Sequence, residues 1–369
     1  RHRLNLATVL DEAASSNVSA FVLSPPPGPD AAKPKMVFLC VSGGGMRSAV
    51  WTMQCLQKAD SATAGNLMKN AILMSGASGG MLGAMWFREL VLRQQMGEKL
   101  DAHDPVFLKK ISRDLLNPVS FAIVSNDLFF PVRQFSWGKH QYRRDRGYMF
   151  ERQLWKNTDG FLRKKLSDYR QPEADSRIPM AFVTPFILND ARRLVISPQP
   201  VAYMMKSTSK SLKTNDLEID AVDFRGLFAG QDGDDLSFAS ALRMNATYPY
   251  ILPNTHLPTS PEIETMDAGF RDNYGTLSAI RFLHVFQDWV KKNTSGIVVV
   301  EIRCWPKIKE INESSTRGWV GALLHPATVT SRLTDMEDYA QDEMLSLLAD
   351  LFGEKKVDRL LFTYRPVRK

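Results

Sequence analysis

An apolar run at 36–41 ends in Ser42-Gly43-Gly44-Gly45, and a second at 71–74 ends in Ser75-Gly76-Ala77-Ser78-Gly79-Gly80. Uninterrupted apolar runs of this length suit strands buried on both faces of a parallel sheet. Helical composition follows each glycine cluster. The first such stretch, 48–59, offers Val50, Met53 and Cys55 or Leu56 as an inner face, and the second runs to about Gln95. Its first turns carry Gly79, Gly80, Gly83 and Ala84, small enough for a helix backbone to approach the sheet closely. Strand, glycine turn, helix, strand, turn, helix is the order of a doubly wound α/β unit.

The rest of the chain predicts further pieces of the same architecture. Buried strands are expected at 179–186, 193–197 and 297–302, a short strand at 264–266 leading into Asp267, and a last one at 359–364. Helices are expected at 238–246, 276–291 and 335–352, with 207–235 rich in loops. Residues 97–175 differ in character. They mix Phe121, Leu128, Phe129, Phe130, Phe135 and Trp137 with Lys139-His140-Gln141-Tyr142-Arg143-Arg144, broken by Asn117-Pro118 and Phe130-Pro131. This segment reads as an inserted cap over the sheet, its aromatics either facing lipid or simply forming the core of a folded cap. Residues 1–34 read as a short helix at 4–14 and a linker, Ser24-Pro25-Pro26-Pro27-Gly28-Pro29-Asp30. The expected organisation is thus 1–34 as N-terminal segment and 35–369 as the catalytic domain, with 97–175 inserted in it. A chain opening on Arg1 reads as a fragment or processed product, so a membrane span or targeting segment upstream stays open.

Composition narrows the function classes. Forty-seven basic against 40 acidic residues leave a net charge of +7, which favours anionic surfaces, with plain solubility as the simpler reading. The basic residues form no nucleic-acid module. Three cysteines without C-x-x-C spacing argue against a disulfide framework or zinc site and fit a reducing compartment. No apolar run reaches the ~18 residues of a membrane span, and no calcium loop or signal peptide is visible.

Gly76-Ala77-Ser78-Gly79-Gly80 fits G-x-S-x-G, which holds a serine on a sharp strand-to-helix turn. A glycine-rich turn with an ordinary N-cap serine is the plain alternative. Gly43, Gly44 and Gly45 supply bare amides that can face a developing oxyanion, as can Gly79 after the serine. A phosphate loop is the alternative, but both G-x-x-x-x-G-K-S/T and G-x-G-x-x-G with a following acid are missing. Arg47 can orient the loop or hold an anionic head group; otherwise it is a solvated helix residue. Asp267, at a strand end before Ala268-Gly269, is a candidate general base or an ordinary Asx turn. His284 and His325 follow it in the order of a Ser-Asp-His triad, although His284 sits in an amphipathic stretch typical of a packed helix residue.

The trio Gly43-Gly44-Gly45-Met46-Arg47, Gly76-Ala77-Ser78-Gly79-Gly80 and Asp267-Ala268-Gly269, in that order, resembles patatin-like phospholipases and lipid acyl hydrolases. The loop beginning at Ser42 also resembles that of cytosolic group IV phospholipases A2. The resemblance spans scattered motifs across 35–305. It implies a patatin-like three-layer α/β fold with a mostly parallel central sheet, helices on both faces and an inserted cap. It implies Ser78 as nucleophile, Asp267 as base without a histidine, and Gly43, Gly44, Gly45 and Gly79 around the oxyanion. It further implies a phospholipid or other acyl-lipid substrate met at a peripheral, cytoplasmic-side membrane surface, with no metal or organic cofactor. Ala246-Thr247-Tyr248-Pro249 and Asn273 fall near similar family positions. The family's acid motif usually has glycine where this chain has Ala268, which tests whether that position keeps φ below zero. An α/β-hydrolase-type esterase or peptidase with a histidine, and a lipid-binding scaffold without turnover, remain the alternatives.

Overall fold

The computed structural model describes residues 33–123, 134–137, 140–207, 219–249, 251–307, 319–353 and 356–365, with the side chains of 140, 142, 143 and 319–335 outside that description. Strand β1 (Lys35–Val41) runs into helix α1 (Gly45–Ala62), and β2 (Ala71–Gly76) into α2 (Ser78–Gln95). Next come α3 (Arg146–Asn157), β3 (Met180–Val183), β4 (Phe186–Ile187), α4 (Phe238–Asn245), β5 (Thr255–Leu257) and β6 (Ile263–Met266). The chain closes with α5 (Thr276–Val285), β7 (Gly296–Arg303), α6 (Trp319–Phe352) and β8 (Val357–Thr363).

Among the described residues the central sheet has five strands, all parallel, in the order β8-β7-β1-β2-β3. Strand β1 shows why the apolar run needs no polar alternation. Val37, Leu39 and Val41 point into one hydrophobic cluster with α1 and α2, while Met36, Phe38 and Cys40 point into a second with α5 and the end of α6. Two buried faces make three layers, helix on sheet on helix, as expected. The order reverses between β1 and β7, so the crevice at their carboxyl ends is the switch point where α/β sheets place their sites.

The small residues of α2 bring it close to α1 and the glycine loop rather than to the sheet. A Cβ on Gly83 would sit 2.1 Å from the Ala49 carbonyl oxygen, and one on Gly80 would sit 2.2 Å from that of Ser42. Gly83→Ala is therefore expected to force the helices apart and destabilise the fold by about 1–3 kcal/mol. Denaturant unfolding measures this, and a midpoint equal to wild type would contradict the close approach.

Several boundaries differ from expectation. The run at 179–186 contributes only β3 to the central sheet, because Pro185 has no N–H to continue the ladder. The chain then turns, and β4 joins β6 and β5 in a separate antiparallel sheet, order β4-β6-β5. The expected helix at 276–291 is two, α5 and a shorter one at Gln287–Asn293, separated at Phe286 with φ −100° and ψ 16°. Residues expected as cap also fill the core: Phe107, Ile111, Leu115, Phe150, Leu154 and Tyr169 join the cluster of α1 and α2. Trp137 stacks on Trp155 and Phe135 on Tyr148, whereas Phe121 is 73% exposed. Leu128, Phe129, Phe130, Lys139 and the expected helix at 4–14 and linker lie outside the described residues. Among the described residues no helix is long and apolar enough to cross a membrane, and no cluster of metal-ligating side chains forms.

Candidate active site

Val41 pairs with Gly76 in register, so the glycine loop and the serine turn leave the sheet side by side at its carboxyl edge. The Ala77 N–H donates back to the Val41 carbonyl at 3.2 Å. Ser78 then opens α2 with φ of +48°, a left-handed value that a non-glycine residue adopts at a cost of roughly 1–2 kcal/mol. This is the strained strand-to-helix turn that G-x-S-x-G anticipates. Asn245, fully buried at the end of α4, fixes the turn from outside. Its Nδ2 donates to the Gly76 carbonyl at 3.1 Å, and its Oδ1 accepts the Thr184 N–H at 2.9 Å. Nothing in the sequence marked Asn245, because its role depends on where α4 docks.

Gly79 is bare because the glycine loop occupies the space: a Cβ there would lie 1.8 Å from the Gly45 carbonyl oxygen. The same packing carries Gly43 to Ser78, the position of its would-be Cβ being 3.5 Å from Ser78 Cβ. The four expected oxyanion glycines are not equivalent. The Gly43 N–H already donates to Asn273, to its carbonyl at 3.0 Å and its Oδ1 at 3.2 Å. The amides of Gly44, Gly45 and Gly79 have no partner among the described residues, as the first turn of a helix leaves them. Ser42 anchors the loop from below through its Oγ, which accepts the Cys304 N–H at 2.8 Å.

Asp267 follows β6, its N–H donating to the Thr247 carbonyl at 2.9 Å. The turn reading accounts for one oxygen of the carboxylate and leaves the other over. Oδ1 accepts the Gly269 N–H at 2.8 Å and caps the short 3-10 turn Ala268–Phe270, while Oδ2 is buried without a hydrogen-bond partner. Ala268 lies inside that turn and is not among the positive-φ residues, so alanine fits where the resembled family has glycine. Burial pushes the Asp267 pKa up to about 6, against the opposing pull of the Gly269 N–H and the Ser78 hydroxyl. Ser78 thus lies close enough to act on the carboxylate, while Oδ2 has no hydrogen-bond partner.

Arg47 sits at the rim, exposed, with its guanidinium 3.9 Å from the Trp305 ring centroid and 5.8 Å from that of Tyr364. The histidines do not converge here among the described side chains. His284 has its pKa lowered by burial and by Arg281, and His103 faces Asp60 and Asp101. The side chain of His325 lies outside the described residues. A cavity of about 520 Å³ lined by Asp223, Arg225, Phe228 and Asp234 shares no residue with Ser78 and Asp267.

No family model and no curated protein matches the sequence. Solved structures similar to the chain include the following two. VipD from Legionella pneumophila matches at 11% identity and TM-score 0.34, over 95% of this chain and 66% of its own. Full-length SpcU in complex with full-length ExoU, from the type III secretion system of Pseudomonas aeruginosa, matches at 13% identity and TM-score 0.27, over 87% and 54%. The chain thus spans less than two thirds of either length. Likeness of this size leaves the fold to rest on its own strand order and the function on the site's geometry.

Proposed function

We propose that the chain is a patatin-like lipid acyl hydrolase, a serine hydrolase cleaving a carboxylic ester with Ser78 as nucleophile and Asp267 as base. The observation that carries this reading is a strained, half-buried Ser78 flanked by a buried carboxylate oxygen without a partner and by three amides without partners. In the proposed reaction Asp267 takes the Ser78 proton as Oγ attacks the ester carbonyl, and the carbonyl electron pair moves onto oxygen. That oxyanion accepts hydrogen bonds from the amides of Gly44, Gly45 and Gly79. Collapse expels the alcohol, which regains the proton from Asp267, and water then releases the fatty acid from Ser78. No step needs a metal or an organic cofactor.

A lipid substrate is favoured by what surrounds the carboxylate. Tyr248, exposed beside Thr247, stacks on Phe270 three residues past Asp267, and Leu188 and Ile251 are also exposed. Together with the net charge of +7, this suits an acyl chain delivered from an anionic membrane surface. Arg47 on its Trp305 platform would then meet an anionic head group at the rim.

The test is fatty-acid release from vesicles of phosphatidylcholine and phosphatidylglycerol, followed against pH. Activity is expected to rise with pH through about 6 as Asp267 ionises, and His284→Ala and His325→Ala are expected to retain it. Loss in either histidine variant would favour the triad esterase. Vesicle binding without release would favour the scaffold.

A further inference from the structure

Glu337 on α6 is a largely buried carboxyl group that the catalytic steps above do not use. Its Oε2 accepts the Asn273 N–H at 3.0 Å, and its Oε1 is buried with no hydrogen-bond partner. Asn273 in turn receives the Gly43 N–H on both its carbonyl and side-chain oxygens. Its Oδ1 also lies 3.1 Å from where a Cβ on Gly269 would stand, the same distance as Asp267 Oδ1. One residue therefore touches the glycine loop and the turn that carries the base, and Glu337 holds that residue from behind.

We propose that Glu337 is a positioning residue: through Asn273 it fixes the glycine loop beside Ser78, and it does so as the neutral acid. The inference rests on the Ser78–Asp267 reading. The charges around Glu337 give the reason for neutrality. Asp267 and Asp272 face it and repel its charge, and Arg271 attracts it. The neighbouring Asp338 is taken up by Arg303, whose guanidinium also covers the Tyr274 ring, and among the described residues no cation forms a salt bridge to Glu337. Burial with this surround pushes its pKa up to about 8. An ionised Glu337 would be a buried charge without a counter-ion, with nothing donating to Oε1, and would gain by swinging toward water. That movement withdraws the tether on Asn273 and loosens the amides over the nucleophile.

Second-order labelling of the full chain by a fluorophosphonate, measured from pH 5 to 10, tests this without a known substrate. Wild type is expected to label in a bell, rising through about 6 and falling near 8. Glu337→Gln keeps the acceptor and cannot ionise, so it is expected to match wild type at pH 7 and lack the fall near 8. Glu337→Ala is expected to label roughly 10–100-fold more slowly at pH 7 while melting as a folded protein, the penalty of a misplaced loop. A Glu337→Ala rate equal to wild type, or an alkaline fall kept in Glu337→Gln, overturns the role of Glu337 alone. Failure of wild type to label at any pH overturns the Ser78 reading and this inference with it.

Discussion

Ser78→Ala is expected to reduce ester hydrolysis to background, a loss of about 10⁴–10⁶-fold, because no other group can carry the acyl intermediate. Ser78→Gly is expected to be equally inactive but to differ in stability. Alanine keeps a Cβ at φ of +48°, whereas glycine adopts that value freely. The glycine variant should therefore exceed the alanine variant by about 1 kcal/mol in unfolding free energy. Denaturant unfolding of the two variants measures it. Equal stabilities would mean that the left-handed serine is not strained, and would remove the strongest local sign of a nucleophile turn.

Asp267→Asn is expected to lower activity by about 10³-fold or more while raising stability at neutral pH. The change preserves shape, and an amide oxygen still accepts the Gly269 N–H, but the proton acceptor is lost. The stability gain follows from linkage. Folded Asp267 holds its proton up to about 6, above the ordinary range of an aspartate, so between roughly 4 and 6 the folded state binds more protons than the unfolded state. Stability therefore falls as pH rises through that window, and the cost of the buried charge is complete above it. Removing the charge should recover roughly 2–3 kcal/mol at pH 7.5 and almost nothing at pH 4. Melting temperatures of both proteins at the two pH values check this. A variant less stable than wild type at pH 7.5 would mean that the ionised carboxylate is well satisfied, contrary to its role as a poised base.

The parallel sheet was legible because its information is local. A run such as Val37 to Val41, with no polar side chain, has no face to turn to water, and the glycines after it leave few structures but a tight turn into a helix. Ser78 was legible for the same reason: strand, turn and helix lie within one short stretch. What lay outside reach depends on docking between distant parts of the chain. Asn245 matters only because α4 ends against Gly76 and Thr184, and Glu337 only because α6 brings it to Asn273. The unequal amides of the glycine loop belong to the same class. Gly43 looks as bare as Gly44 in the sequence, and only the fold delivers Asn273 to take its amide. The short strand leading into Asp267 was legible, but its pairing into a separate antiparallel sheet was not, because β4 and β6 are too short to carry a pairing signal of their own.

Covalent labelling of the wild-type chain with a fluorophosphonate, followed by peptide mass spectrometry of the adduct, addresses the central claim most directly. The expected result is a single adduct on Ser78 at pH 7.5, absent from Ser78→Ala and strongly reduced in Asp267→Asn. An adduct on another residue, or wild type left unlabelled even with phospholipid vesicles present, would contradict the assignment of Ser78 and Asp267 as the catalytic pair.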